Sequence, residues 1–182
     1  MRVGMAVVGM MVVSLAATGR PAAAAWDPEG EKKQLAEAQE AIAAFKAVNP
    51  GLDLYFKEAY AYAVFPTVGK GGFLLAGSHG TGLVFEGGNV VGDAKVTEAS
   101  FGLQAGVQAY SELMFFKDKE TFESFKKGDL KLAAQASAAA ADKGANAKAP
   151  YDNGVAVFVK TKGGLIVDAS VGAQKYTFEP KK

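Results

Sequence analysis

The stretch from Phe65 to Phe85, FPTVGKGGFLLAGSHGTGLVF, limits the possible folds more than any other part of this chain. It contains six glycines and a single charged residue, Lys70. Glycine in a strand loses much conformational entropy on folding, so this density indicates close backbone approach, tight turns or a ligand that needs bare backbone. The apolar runs Phe73–Ala76 and Leu83–Phe85 predict two short buried strands with a glycine-rich connection, and Pro66 is expected to end the strand before them.

Residues 1–25 have the features of a secretory signal peptide. Arg2 supplies a positive charge, Val3–Ala17 is apolar or small, and the alanines at 22–25 offer cleavage sites before Trp26. The run is shorter than the roughly 20 residues that a membrane-spanning helix needs. The sequence therefore predicts a periplasmic or secreted protein after cleavage, with an uncleaved N-terminal anchor as the alternative.

Composition excludes several kinds of site. Both arginines of the chain lie in the leader, so its removal takes two of the 20 basic residues and leaves 18 lysines against 19 acidic residues. A chain without arginine and without net positive charge is not expected to bind nucleic acid, although lysines and backbone N–H groups can still bind phosphate. The absence of cysteine excludes disulfides, thiolate metal sites, cysteine nucleophiles and a lipid-modified N-terminal cysteine.

Residues 26–50 predict one amphipathic helix that ends at Asn49-Pro50-Gly51. Its apolar stripe is formed by Leu35, Ala38, Ile42 and Phe45. A helix that lies on a membrane is expected to have a basic polar face, whereas the polar face here is mixed, so we expect the helix to pack on the rest of the protein.

Residues 51–182 predict one α+β domain. A second helix begins at Leu52, and a short internal helix is capped by Asp118 and closed by Gly128. Seven to nine strands with glycine-rich turns, including residues 86–89 and 161–164, predict a mainly antiparallel β barrel or sandwich-like core next to the two N-terminal helices and the internal helix. Residues 130–141 fit either an alanine-rich helix or a strand of small residues.

Catalytic constellations are missing. Ser78 and His79 form a loose nucleophile elbow, but His79 is the single histidine and neighbours in a strand point to opposite faces. The phosphate-loop spacing is absent around Lys70, and the carboxylates lack metal-ligand spacing. We therefore expect a protein that is not an enzyme and carries no cofactor or metal; Glu112, which lies among apolar neighbours, is the one acid of interest.

Four blocks occur in an order that resembles the SYLF domain family, over about Leu52 to Tyr176. They read AVFPTVGKGGFLLAGSHGTGLVF, ASFGLQAGVQAYSELMFF, LKLAAQASAAAADKGA and GVAVFVKTKGGLIVDASVGAQKY. The resemblance implies a lipid-binding domain, described as an actin-regulator domain in eukaryotes, with anionic phospholipid or a membrane surface as the partner. It also implies that residues 130–140 form a strand.

Lysines at glycine-rich turns are the predicted contacts to anionic lipid. We select Lys70, Lys160 and Lys162, because turns leave backbone N–H groups available beside them. The alternative prediction is an envelope structural or protein-interaction module that has a protein partner and no lipid site.

Overall fold

The computed structural model describes residues 28–70, 78–98, 109–130, 151–161, 164–167 and 174–181, with backbone alone at residues 70, 78, 98, 161 and 164–167. Three helices are α1 (Pro28–Val48), α2 (Leu52–Glu58) and α3 (Lys119–Lys126). The strands are β1 (Ala61–Lys70), β2 (Ser78–Glu86), β3 (Asn89–Glu98), β4 (Ala109–Phe116), β5 (Val155–Thr161), β6 (Gly164–Val167) and β7 (Gln174–Pro180).

All seven strands form one antiparallel sheet in the order β6-β5-β4-β1-β2-β3-β7. The predicted α+β class, the two N-terminal helices and the short internal helix are confirmed. Within the described ranges no pairing joins β6 to β7. Closure of the sheet into a barrel or sandwich therefore stays a prediction.

Pro66 does not end its strand, and the prediction that it would was wrong. β1 continues to Lys70, and its pairing with both neighbouring strands shifts register around Phe65–Thr67. Proline has no N–H to donate to a ladder, and a bulge is where a central strand tolerates it. The Pro66 carbonyl accepts a hydrogen bond from Ser111 Oγ at 2.7 Å.

Glycines at the β1–β2 pair allow close packing. A Cβ atom on Gly82 would lie 2.3 Å from the Val64 carbonyl oxygen and 2.7 Å from the Phe65 ring. On Gly80 it would lie 2.7 Å from the Thr67 carbonyl oxygen. Both glycines therefore serve packing beside the bulge.

One face of the sheet, which we call the outer face, packs against α1 and α2 and includes Val64, Leu83 and Phe115. Ala38, Ala41 and Phe45 of α1 are buried against a cluster that includes Leu83 and Phe115. The predicted packing of the first helix on the rest of the protein is confirmed, with small alanines on the helix facing large side chains on the strands.

The opposite face of the sheet, which we call the inner face, packs against α3. Phe122 and Phe125 of the helix are fully buried beside Phe65, Met114 and Phe116. Asp118 is the predicted cap and accepts from Thr121 N at 2.9 Å, while Gly128 ends the helix with φ +75°. Sheet faces covered on both sides explain the mixed apolar runs in the sequence.

Strong curling brings distant strands together around the inner face. Three strands separate β4 from β7 in the sheet order, which would place them about 19 Å apart if the sheet were flat. Yet Tyr176 Oη on β7 donates to Glu112 Oε1 on β4 at 2.7 Å, and the Tyr176 and Phe65 ring centroids are 5.8 Å apart. The sheet is therefore curled with its inner face concave, beyond the usual twist.

Turn predictions are confirmed where the structure describes them. Gly87 and Gly88 connect β2 to β3 with φ values of +57° and +84°, as a two-residue hairpin of type I′ requires. Thr161 pairs with Gly164 across the second predicted hairpin. The predictions for residues 1–25, 73–76, 101–108 and 131–141 lie outside the described residues.

Candidate functional site

One end of the curled sheet, which we call the mouth end, is where β1, β3 and β5 end and where β2, β4, β6 and β7 begin. Direct cross-strand pairs mark this end. Gly69 pairs with both His79 and Ala109, and Thr97 pairs with both His79 and Lys175. The opposite end, which we call the far end, carries the Gly87-Gly88 hairpin and the start of α3.

Two of the three predicted lipid-binding lysines lie at the mouth end. Lys70 is the last residue of β1 and pairs with Ser78. Lys160 is next to last in β5, pairs with Ser111 of β4, and is partly exposed. The strand β4 separates β1 from β5, so these two lysine positions are two strands apart. Lys162 lies outside the described residues.

Lys175 and His79 at the mouth end were missed by sequence reasoning. Both side chains are exposed, and both belong to strands whose alternate residues are buried, Tyr176 in β7 and Gly80 in β2. The alternation of QKYTFEP, with an apolar Tyr176 between Lys175 and Thr177, was the available signal for an outward lysine. The sequence could not show at which end of the sheet β7 begins, and therefore at which end Lys175 lies.

Beneath the mouth end lies a polar cluster on the inner face. Glu112 is fully buried, and its Oε1 accepts from Tyr176 Oη at 2.7 Å while its Oε2 lies 3.3 Å from Gln174 Nε2. Gln174 Nε2 also donates to Tyr110 Oη at 2.8 Å, and the single hydroxyl proton of Tyr176 is shared with the Gln174 amide oxygen. The cluster satisfies a carboxyl group that would otherwise be costly to bury.

This cluster links two opposing walls of the curled sheet, one formed by β4 and β5 and the other by β7. Tyr110 and Glu112 belong to β4, whereas Gln174 and Tyr176 belong to β7. Glu112 stands out in the sequence for its apolar neighbours, but its partners on β7 are more than 60 residues away along the chain. The arrangement closes the inner face below the mouth end with side-chain hydrogen bonds.

Titratable groups with a shifted pKa lie away from the mouth end in the part of the chain that the structure describes. The hydrogen bond to Glu86 and burial raise the pKa of Tyr60, and burial raises the pKa of Tyr151 to about 12. Burial raises the pKa of Asp93, beside the N-terminal turn of α1. Each shift follows from burial or from a neighbouring group.

Within the described ranges, no group of three or more His, Cys, Asp or Glu side chains could hold a metal ion. None of the described helices combines the length and apolar character required to traverse a lipid bilayer. Ser78 and His79 are consecutive residues of β2.

Comparison with known proteins identifies relatives of the domain. Residues 97–181, which cover β4 to β7 and α3, match the model of the Ysc84 (SYLF) family, described as Las17-binding protein actin regulator. A protein of Aeromonas veronii named Beta cell expansion factor A is 27% identical over 136 residues, which are 70% of this chain and 49% of that protein. This chain thus spans about half the length of that relative.

Proposed function

We propose, from the match of residues 97–181 to the Ysc84 (SYLF) family model and from the lysines at the mouth end, that this protein is an exported, non-enzymatic domain that binds anionic phospholipid. The predicted contacts are Lys70, Lys160 and Lys162. The observation that carries the proposal is the strand register, which brings Lys70 and Lys160 to the same end of the sheet. Lys162 stands in sequence between Thr161 and Gly164, which pair with each other at that end.

The proposal depends on local charge. The chain without its leader has slightly more carboxylates than lysines, so a uniform electrostatic attraction to an anionic bilayer is not available. Charges act mainly within a Debye length of about 8 Å at physiological ionic strength. Attraction to an anionic bilayer therefore depends on the lysines clustered at the end that meets it. Glu112 does not offset these lysines as an exposed charge, because it is buried and hydrogen-bonded.

Vesicle co-sedimentation tests the proposal. The protein purified from cells that express the full chain is mixed with vesicles of neutral lipid, or of neutral lipid with anionic phospholipid, at low and high salt. We expect binding to the anionic vesicles alone, weakened by salt. A lysine near an anionic surface contributes about 1 kcal/mol, so the triple variant Lys70→Ala/Lys160→Ala/Lys162→Ala should bind about a hundred-fold more weakly.

A matched variant controls for net charge. The far-end triple variant Lys117→Ala/Lys119→Ala/Lys57→Ala removes the same number of lysines, all three of them exposed, and should bind as the unchanged protein does. Equal losses in both triple variants would show a response to net charge and refute the assigned lysines. Absence of binding to anionic vesicles by the unchanged protein would refute the lipid proposal.

An interaction module without a lipid site is the second candidate. Leu54 on α2 is 56% exposed and Val48 at the end of α1 is 37% exposed, which places two large apolar side chains at the corner between these helices. This candidate would bury both side chains against a partner protein. This candidate predicts that the protein does not bind vesicles and that Leu54→Ser abolishes binding to its partner protein.

Export is tested separately. The N-terminal sequence of the protein recovered from the periplasm or the medium should begin at or near Trp26, because the alanines at 22–25 form the predicted cleavage site. Recovery of the chain with residues 1–25 still attached would contradict this part of the proposal.

A further inference from the structure

Lys160 and Lys175 lie on opposite walls of the curled sheet. Lys160 belongs to β5 and pairs with Ser111 of β4, while Lys175 belongs to β7 and precedes Tyr176. The hydrogen bond between Tyr176 and Glu112 joins these walls through the interior. Since both strands turn their inner faces toward that bond, their outer faces are directed away from each other.

A flat anionic surface cannot lie against both outer faces at once. A bilayer that met the outer face near Lys160 would be turned away from Lys175, and the reverse also holds. Helix α1 covers part of the outer face over β1 and β2 and stands between such a surface and the strands. The position from which both lysines can reach one plane is the mouth end itself.

The strand order supports the same orientation. His79, Thr97 and Lys175 form one cross-strand row at the mouth end of β2, β3 and β7, and all three side chains are exposed. Among the described side chains of this row none is a carboxylate, which makes it complementary to an anionic surface. Lys175 is cationic and Thr97 is small, and both can donate hydrogen bonds to phosphate oxygens.

We propose that the domain stands end-on against anionic phospholipid, with Lys160 and Lys175 contacting the bilayer from opposite walls of the mouth end. The inference rests on the proposed lipid binding and adds the orientation and one contact, Lys175. The hydrogen-bonded cluster of Tyr110, Glu112, Gln174 and Tyr176 lies directly behind this contact and fixes the distance between the two walls.

Two single-cysteine variants test the orientation, because the chain has no cysteine of its own. Thr97→Cys lies in the mouth-end row of β3, and Asn89→Cys lies at the far end of the same strand, eight residues or about 26 Å away. Each is exposed and is labelled with a dye whose emission shifts to shorter wavelength in a less polar environment. We expect anionic vesicles to shift the emission of the label at 97 and to leave that at 89 unchanged; a shift at 89 alone, or equal shifts, would overturn the orientation.

Neutral variants test the new contact. Lys175→Gln should weaken binding to anionic vesicles about five-fold, as Lys160→Gln does, while Lys119→Gln at the far end should have no effect. If Lys160→Gln weakens binding and Lys175→Gln does not, the end-on orientation is wrong and the lipid site stands. If the unchanged protein does not bind, the underlying proposal fails instead.

Discussion

Gly82 shows at the scale of a single residue why the central stretch is rich in glycine. The bulge around Pro66 brings the Val64 carbonyl within 2.3 Å of where a Cβ atom on Gly82 would lie. The sequence indicated a glycine requirement but left open packing and ligand binding, because both demand bare backbone. The geometry of the β1–β2 pair assigns Gly80 and Gly82 to packing, and the glycines at 71, 72 and 77 lie outside the described residues.

Replacing Gly82 by Ala should lower the free energy of unfolding by about 1–3 kcal/mol, because the added methyl group forces the paired backbones apart. Thr81→Ala changes an exposed neighbour on the same strand and should stay within about 0.5 kcal/mol. Urea unfolding followed by circular dichroism measures both. Equal stability of the two variants would contradict the packing role.

The buried carboxyl group of Glu112 depends on donors from another strand. Tyr176→Phe removes the hydroxyl that lies 2.7 Å from Glu112 Oε1, and we expect it to lower the free energy of unfolding by about 1–3 kcal/mol. Thr177→Ala, on the exposed side of the same strand, is the control. If Tyr176→Phe is as stable as Thr177→Ala, the cluster does not hold β7 against β4.

At the scale of secondary structure, local signals predicted α3 well and β1 badly. Asp118 and Gly128 bracket α3 because capping is decided by residues within one turn. Pro66 misled the prediction because a bulge depends on the neighbouring strands: the proline carbonyl is satisfied by Ser111, 45 residues away. The boundaries of helices could therefore be read from the sequence, and the continuity of a central strand could not.

The cap of α3 gives a prediction with a pH dependence. Hydrogen bonds from the Thr121 backbone N–H, which has the larger effect, and from the Thr121 hydroxyl hold the pKa of Asp118 below its ordinary value of 3.8. A carboxyl group whose pKa is lowered by folding stabilises the protein above its unfolded pKa, and this contribution is lost as the pH falls through the folded-state pKa. Asp118→Ala should lower the free energy of unfolding by about 1 kcal/mol at pH 7, and the difference from the unchanged protein should shrink below about pH 3.8.

Chemical denaturation at pH 7, 5 and 2.5 measures this difference. The values at pH 7 and 5 should agree, and the value at pH 2.5 should be smaller. A difference that stays constant down to pH 2.5 would show that the carboxylate charge does not stabilise the helix start.

At the scale of the whole molecule, the α+β class and the antiparallel strands could be predicted, but the arrangement of the lysines could not. Strand periodicity and glycine turns depend on neighbouring residues, and they predicted Lys160 beside a glycine-rich connection, whereas the structure places it within β5. The proximity of β7 to β4 depends on how far a seven-stranded sheet curls, which no local pattern contains. For that reason Lys175 and the partners of Glu112 appeared only in the structure.

The salt dependence of binding to anionic vesicles shows whether the mouth-end lysines contact lipid. The affinity of the unchanged protein is measured from low to high salt beside the triple variant Lys70→Ala/Lys160→Ala/Lys162→Ala. We predict that the affinity of the unchanged protein falls steeply as salt increases and that the variant binds weakly with a much shallower dependence, because the screened charges have been removed. Binding that is insensitive to salt, or a variant whose curve coincides with that of the unchanged protein, would show that the mouth-end lysines do not bind the lipid.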